Sequence, residues 1–261
     1  MAVAQLPDVR LHYRIDGEAG STLLLSNSLG TSLAMWEPQI AALSARFRVV
    51  RYDSRGHGTS EAPPGPYSID QLARDALALL DALAIPRAHF CGVSMGGMVG
   101  LWLGINAPER IDRLVVANTA AKIGTAESWN ARIDAVRKGG LASIAPAVLA
   151  RWFSPQLLEQ PTPMIAGLRA TFEATSAEGY VASCVAVRDM DQRQSLHRIH
   201  VPTLVIAGTD DLVTPPDEGR FAADRIRGAR YIELPAAHLS NIQAAAAFTQ
   251  ALVQFLAGRL E

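Results

Sequence analysis

The strongest constraint on this chain is the pattern Gly92-x-Ser94-x-Gly96, which lies within residues 89–98. A serine in this pattern stands on a sharp turn between a strand and a helix. The turn forces the serine into a strained backbone region, and the two glycines let strand and helix approach without a Cβ clash. The hydroxyl then stands clear of the sheet, at the positive end of the following helix. We therefore interpret Ser94 as a nucleophile.

The residues that flank the motif fit such a turn. Residues 85–91 form a short apolar run that is typical of a buried strand. Residues 95–106 are typical of an apolar helix that ends before Pro108. This context favours a nucleophile over the alternative, a serine that simply begins a glycine-rich helix.

The order of the apolar segments predicts an α/β fold. Strands and helices alternate along the chain, which implies a mostly parallel central sheet, right-handed crossovers and helices on both faces. The predicted strands are 8–16, 22–26, 47–52, 85–91, 111–118, 202–207 and 230–234.

One long segment interrupts this alternation. From about Thr119 to Arg198 the pattern is helical, at 127–138, 141–153, 162–175 and 177–190. A strand-free stretch inside an alternating chain is best explained as an insertion. We therefore predict an α/β core of 1–120 and 198–261, with a helical cap of 121–197.

Two further polar residues follow the strands that resume after the insertion. Asp211 comes after the strand 202–207, and His238 comes after the last strand. Open parallel sheets place their sites at these strand ends, and the chain order Ser, Asp, His is typical of this architecture. Ser94 would attack, His238 would take and return its proton, and Asp211 would orient the imidazole. We choose Asp211 over Asp210 because adjacent side chains project differently and one of them should face the histidine.

A serine nucleophile that transfers acyl groups also needs donors for the developing oxyanion. The backbone N–H of Met95, directly after the nucleophile, is one candidate. The backbone N–H of Leu29, in the loop after strand 22–26, is the other. No other His, Cys or Glu lies at ligand spacing near the histidine, so we predict no metal site.

Composition narrows the class of protein and its partners. The chain has 261 residues, of which 49% are hydrophobic and 19% charged, which suits a globular enzyme. Its net charge is −1 with no basic run, so neither nucleic acid nor a membrane is an expected partner. The uncharged stretches 88–108 and 234–258 invite a membrane interpretation, but glycines, proline and polar side chains interrupt them. We predict a cytoplasmic protein whose oligomeric state stays open.

Four motifs carry a family resemblance: residues 26–31 followed by Met35-Trp36, residues 51–58, residues 92–98 and residues 117–124. With them the chain resembles the α/β-hydrolase family over essentially its whole length. Within that family it is most similar to the 3-oxoadipate enol-lactone hydrolases of aromatic catabolism. The resemblance implies no cofactor and a small-molecule substrate, a cyclic enol ester that carries a free carboxylate. Ring opening by Ser94 would lead through an acyl-enzyme to 3-oxoadipate.

The carboxylate of such a substrate calls for a cation in a mostly apolar pocket. Lys122, Trp129 and Arg132 are our candidates, at the entrance of the cap and on its first helix. The alternative is that Trp129 packs in the cap core and Arg132 is solvated. Two other functions also stay open: a different small-ester or carbon–carbon bond hydrolase of the same fold, and a ligand receptor that keeps a hydrolase site mainly to bind.

Overall fold

The structure is a computed structural model that describes residues 2–18, 20–159 and 162–258. Its strands are β1 Ala2–Gln5, β2 Arg10–Asp16, β3 Thr22–Ser26, β4 Arg48–Tyr52, β5 Ala88–Val93, β6 Ile111–Ala117, β7 Thr203–Gly208 and β8 Arg230–Leu234. Within the described residues these strands form one eight-stranded sheet in the order β1-β2-β4-β3-β5-β6-β7-β8. The strands β1 and β2 run antiparallel to each other, β2 runs antiparallel to β4, and all later pairs are parallel. The predicted mostly parallel α/β sheet is therefore confirmed.

Helices connect these strands and pack against the sheet. They are α1 Glu37–Ser44, α2 Ile69–Ala82, α3 Met95–Asn106, α4 Ala126–Trp152, α5 Pro155–Glu159, α6 Pro163–Ala174, α7 Ala177–Asp189, α8 Pro216–Arg225, α9 Ser240–Gln243 and α10 Ala245–Leu256. Helix α3 contacts β3, β5 and β6, and α8 contacts β7 and β8. In the described part of the chain, no helix combines the length and the apolar character that spanning a membrane requires.

Four elements differ from the prediction. Strand β1 is not predicted, because its four residues lie at the sheet edge and show no apolar alternation. The strand expected at 85–91 begins at Ala88, since the N–H of Ile85 still closes the turn after α2 by donating to Leu80. Helix α5 lies outside the four helices predicted for the cap. The apolar pattern of the last segment predicts one helix over 241–257, but this helix is divided at Ala244, whose φ of −115° and ψ of 44° are not helical.

The segment between β6 and β7 is helical wherever the structure describes it. Helix α4 is broken at Gly140, where φ is 68° and ψ is 178°, so it forms the two predicted helical pieces. Helix α4 packs against α6 and α7. Helix α7 packs closely against the loop after β4. The backbones of Gly179 and Gly56 are in contact there, and a Cβ on either residue would clash with the backbone of the other. That this segment is a cap distinct from the core stays a prediction.

A buried ion pair fixes the loop after β4 to helix α2. The side chains of Arg55 and Asp75 are 2% and 6% exposed, and two guanidinium nitrogens of Arg55 donate to the two Asp75 oxygens. Arg55 also lies over the ring of Tyr67, 5.5 Å from its centroid. Because removal of one partner leaves an uncompensated charge in the interior, breaking such a pair is strongly destabilising.

We expect Asp75→Ala to lower the free energy of unfolding by about 3 kcal/mol, since the buried Arg55 charge then keeps only the largely exposed Asp8 carboxylate, 3.2 Å away, as a partner. Urea denaturation followed by circular dichroism measures this difference. The matched control is Arg74→Ala. Arg74 directly precedes Asp75 on the same helix, and its substitution removes an exposed ion pair with Asp70. Equal denaturation midpoints for the two variants would contradict the prediction.

Candidate active site

Ser94 lies on the strained turn that its motif predicts. It separates the end of β5 from the start of α3, with φ of 56° and ψ of −117°. A Cβ on Gly92 would overlap the carbonyl of Gly96, and a Cβ on Gly96 would overlap the carbonyl of Ser26. The N–H of Ser94 donates to the carbonyl of Ala117 over 2.9 Å, so neighbouring strand β6 holds the turn in place. Glycine is therefore required at both positions, because neighbouring backbone atoms occupy the space that a Cβ would need.

The structure brings Ser94, His238 and Asp211 together from the ends of three parallel strands. The Oγ of Ser94 lies 2.8 Å from Nε2 of His238, and Nδ1 of His238 lies 2.8 Å from Oδ2 of Asp211. All three residues are buried. An ionised carboxylate can only accept, so Nδ1 carries the proton and Nε2 is free to accept one from Ser94. This arrangement can deprotonate the serine hydroxyl.

The Asp211 carboxylate is surrounded by donors. Its Oδ1 accepts from the amides of Val213 and Thr214, and its Oδ2 accepts from the Thr214 hydroxyl, His238 and Asn118, all within 3.0 Å. Burial acts to raise the pKa of Asp211, but the adjacent histidine and these hydrogen bonds outweigh burial. The pKa of Asp211 therefore lies below its usual value, and the group stays ionised near neutral pH.

The two predicted oxyanion donors lie at the same cavity as Ser94. Leu29 and Met95 both line it, and both residues are buried. Within the described ranges neither backbone N–H donates to a protein acceptor. Met95 also begins α3, where the helix leaves its first amides without intrahelical partners. Both amides are thus available to a ligand beside the serine.

The cavity at Ser94 has a mostly apolar lining. A neighbouring cavity of about 400 Å³ shares Trp129, Arg132 and Arg151 with it. The two adjoining spaces together accommodate a small organic molecule. In the part of the chain that the structure describes, no group of three or more His, Cys, Asp or Glu is placed to hold a metal ion. The apolar lining residues are Leu29, Met95, Met98, Ile123, Trp129, Val148, Trp152, Tyr180, Val187 and Val213.

Two of the three predicted substrate-binding residues reach this cavity. Trp129 and Arg132 line it, with the guanidinium 4.9 Å from the indole centroid. The indole N–H of Trp129 donates to the carbonyl of Ile123 over 2.9 Å, which fixes the ring. Lys122 is placed elsewhere: its Nζ donates to the carbonyl of Arg188 over 2.8 Å, and it is not among the lining residues. The side chain of Lys122 therefore connects the segment after β6 to the end of α7 through this hydrogen bond.

Sequence reasoning missed a second cation at the cavity, Arg151. It lies on α4 beyond the break at Gly140, so its spacing from Arg132 did not indicate a shared face. The available signal was its position one helical turn after Val148, an apolar residue that also lines the cavity. Among the described residues, no carboxylate lies within ion-pair distance of Arg132 or Arg151. The cavity therefore combines an apolar lining with two positive charges that are not neutralised by the protein there.

Comparison with known proteins agrees with this geometry. The model of the α/β hydrolase fold family matches residues 21–140. The chain is 47% identical to 3-oxoadipate enol-lactonase 2 of Acinetobacter baylyi, over 94% of this chain and 92% of that one. It is 41% identical to 3-oxoadipate enol-lactonase 1 of the same organism, with the same coverage. The crystal structure of the enol-lactonase from Burkholderia xenovorans superposes with a TM-score of 0.97 at 49% identity, covering 98% of this chain and 100% of that one. The chain belongs to the α/β-hydrolase fold family and is an enzyme of the hydrolase class.

Proposed function

We propose that this enzyme hydrolyses 3-oxoadipate enol-lactone to 3-oxoadipate through an acyl-enzyme on Ser94. The observation that carries the proposal is the hydrogen-bonded series Ser94–His238–Asp211 at a cavity that also holds two unneutralised arginines. The relatives named 3-oxoadipate enol-lactonase support the choice of substrate. In this proposal the core, 1–120 and 198–261, supplies the serine, aspartate and histidine, and the cap, 121–197, supplies the arginines.

In the acylation half, Oγ of Ser94 attacks the lactone carbonyl while Nε2 of His238 takes the hydroxyl proton. The oxyanion of the tetrahedral intermediate accepts hydrogen bonds from the N–H groups of Leu29 and Met95. Collapse breaks the ring C–O bond, and His238 returns the proton to the enol oxygen. The enol then tautomerises to the ketone, which makes ring opening hard to reverse.

In the deacylation half, His238 activates a water molecule that attacks the acyl-enzyme and releases 3-oxoadipate. Asp211 stabilises the imidazolium that forms in each half, and its lowered pKa keeps it ionised for this role. A place in aromatic-compound degradation and a cytoplasmic setting complete the proposal.

The free carboxylate of the lactone is the group that the arginines would bind. Arg132 is held against the fixed ring of Trp129, and Arg151 lines the same two adjoining cavities as Arg132. A guanidinium binds a carboxylate through charge-assisted hydrogen bonds, which are stronger in an apolar setting. A hydrolase for neutral aryl or alkyl esters gains nothing from such charges, so the cavity favours the lactonase over that alternative.

We expect Ser94→Ala to lower kcat for 3-oxoadipate enol-lactone by about 10⁴–10⁶-fold, because the nucleophile is lost while binding is kept. Loss of the ultraviolet absorbance of the lactone measures the rate. Ser183→Ala is the matched control, since Ser183 is also a buried serine but does not line the cavity. Near-normal turnover by Ser94→Ala would refute the acyl-enzyme.

We expect Arg132→Ala to lower kcat/KM for the lactone by about 10–100-fold, mainly through KM, because a charge-assisted hydrogen bond to the substrate carboxylate is lost. Hydrolysis of neutral p-nitrophenyl acetate should change little in the same variant. Arg137→Ala is the control, since Arg137 lies on the same helix outside this cavity. Equal losses on both substrates would contradict carboxylate recognition by Arg132.

A further inference from the structure

Asn118 is a buried polar residue that the proposed mechanism does not use. It directly follows strand β6 and belongs to the family motif at 117–124, where no function was assigned to it. Its φ of 45° lies in the left-handed region, which asparagine tolerates better than most residues. Its N–H donates to the carbonyl of Ile206 over 2.8 Å, so the neighbouring strand β7 fixes its backbone.

The side-chain amide of Asn118 contacts both loops that carry the acid and the base. Its Nδ2 donates to Oδ2 of Asp211 over 3.0 Å and to the carbonyl of Ala237 over 3.2 Å. Its Oδ1 accepts a hydrogen bond from the hydroxyl of Ser240. Because Asp211 and Ala237 present only acceptors, the NH₂ group must face them, and the orientation of the amide follows from chemistry.

We propose that Asn118 is a positioning residue, whose amide joins the Asp211 carboxylate to the backbone next to His238. The inference rests on the proposed function, since it assigns Asn118 to act through the catalytic aspartate and histidine. Asp211 and His238 come from loops after different strands, β7 and β8, and their contact is 2.8 Å long. A single side chain that bonds to both loops limits how far these loops can drift apart. Misplacement of a catalytic group by about 1 Å costs up to about a hundredfold in rate.

Removal of the amide also changes the electrostatics of Asp211. His238 is the titratable group that faces this carboxylate in the described part of the chain, and the other contacts are the neutral groups of Asn118, Val213 and Thr214. The bond from Asn118 is one of those that lower the pKa of Asp211. Without it the pKa of Asp211 rises, and the carboxylate takes up a proton at a higher pH than in the wild type.

The variant Asn118→Gly tests this role, because glycine accepts the left-handed backbone and removes the amide alone. We expect kcat for 3-oxoadipate enol-lactone to fall by about 10–100-fold with KM little changed. The protonation step of Asp211, followed by carbon-13 NMR of its labelled carboxyl carbon, should move to higher pH, because the ionised carboxylate has lost one of its donors. The same loss of kcat is expected with p-nitrophenyl acetate, since Asn118 acts on the triad and not on the substrate carboxylate.

Two further variants separate positioning from general destabilisation. Ser240→Ala keeps Asn118 but frees its Oδ1, so we expect a smaller change in the same direction for both kcat and the protonation step of Asp211. Gln39→Ala removes another fully buried amide, which donates to the carbonyl of Asn241 over 2.6 Å. This control should lower the thermal midpoint and leave the protonation step of Asp211 in place.

The outcomes distinguish the inference from the function on which it rests. If Ser94→Ala is inactive while Asn118→Gly keeps the wild-type kcat and Asp211 protonation step, the positioning role is overturned and the proposed function stands. If Asn118→Gly loses activity without a shift of the Asp211 protonation step, as a structural defect would, the positioning role is also overturned. If Ser94→Ala turns over the lactone normally, the proposed function and the positioning role are overturned together.

Discussion

The close approach of β5 and α3 at Ser94 is the constraint on which the rest of the site depends. Glycines at 92 and 96 allow backbone contact there, and the serine takes up a strained conformation that few side chains tolerate. The N–H of Gly96 donates to the carbonyl of Asn27 over 3.0 Å, which connects the first turn of α3 to the loop that carries Leu29. One turn therefore sets both the direction of the serine hydroxyl and the place of the two free amides beside it.

The polar groups around Asp211 and Asn118 form a hydrogen-bond network in which most donors and acceptors are paired. Asp211 accepts five hydrogen bonds, and Asn118 bonds on both sides of its amide. In an interior of low dielectric constant, a satisfied network of this kind is rigid, whereas an unsatisfied group would be costly. Burial would work against the ionised aspartate, and the surrounding donors reverse that effect. The base is thereby oriented by groups that do not touch the reacting atoms.

The helical segment between β6 and β7 contributes a different kind of chemistry. It covers the serine with apolar side chains and adds Arg132 and Arg151 to the cavity. In the proposed mechanism the hydrolytic groups come from strand ends that a parallel sheet aligns, and the helical segment supplies the charges that would discriminate between esters.

Much of this architecture follows from local patterns in the chain. The alternation of strands and helices along the chain predicts the parallel sheet, and the spacing of small residues around Ser94 predicts the strained turn. The positions of Asp211 and His238 after strands bring them to the same edge as the serine. These features depend on neighbours in sequence, so periodicity and turn chemistry are sufficient to find them.

The remaining features depend on contacts between distant segments. Lys122 bonds to the end of α7 and not to the cavity, whereas Arg151 reaches the cavity from beyond the break at Gly140. The partners of Asn118 lie 93 and 119 residues away along the chain. No local pattern reports on such pairs, because the path of the helical segment and the packing of loops against each other set them. The tertiary structure therefore decided which cations face the serine and which amide holds the acid beside its base.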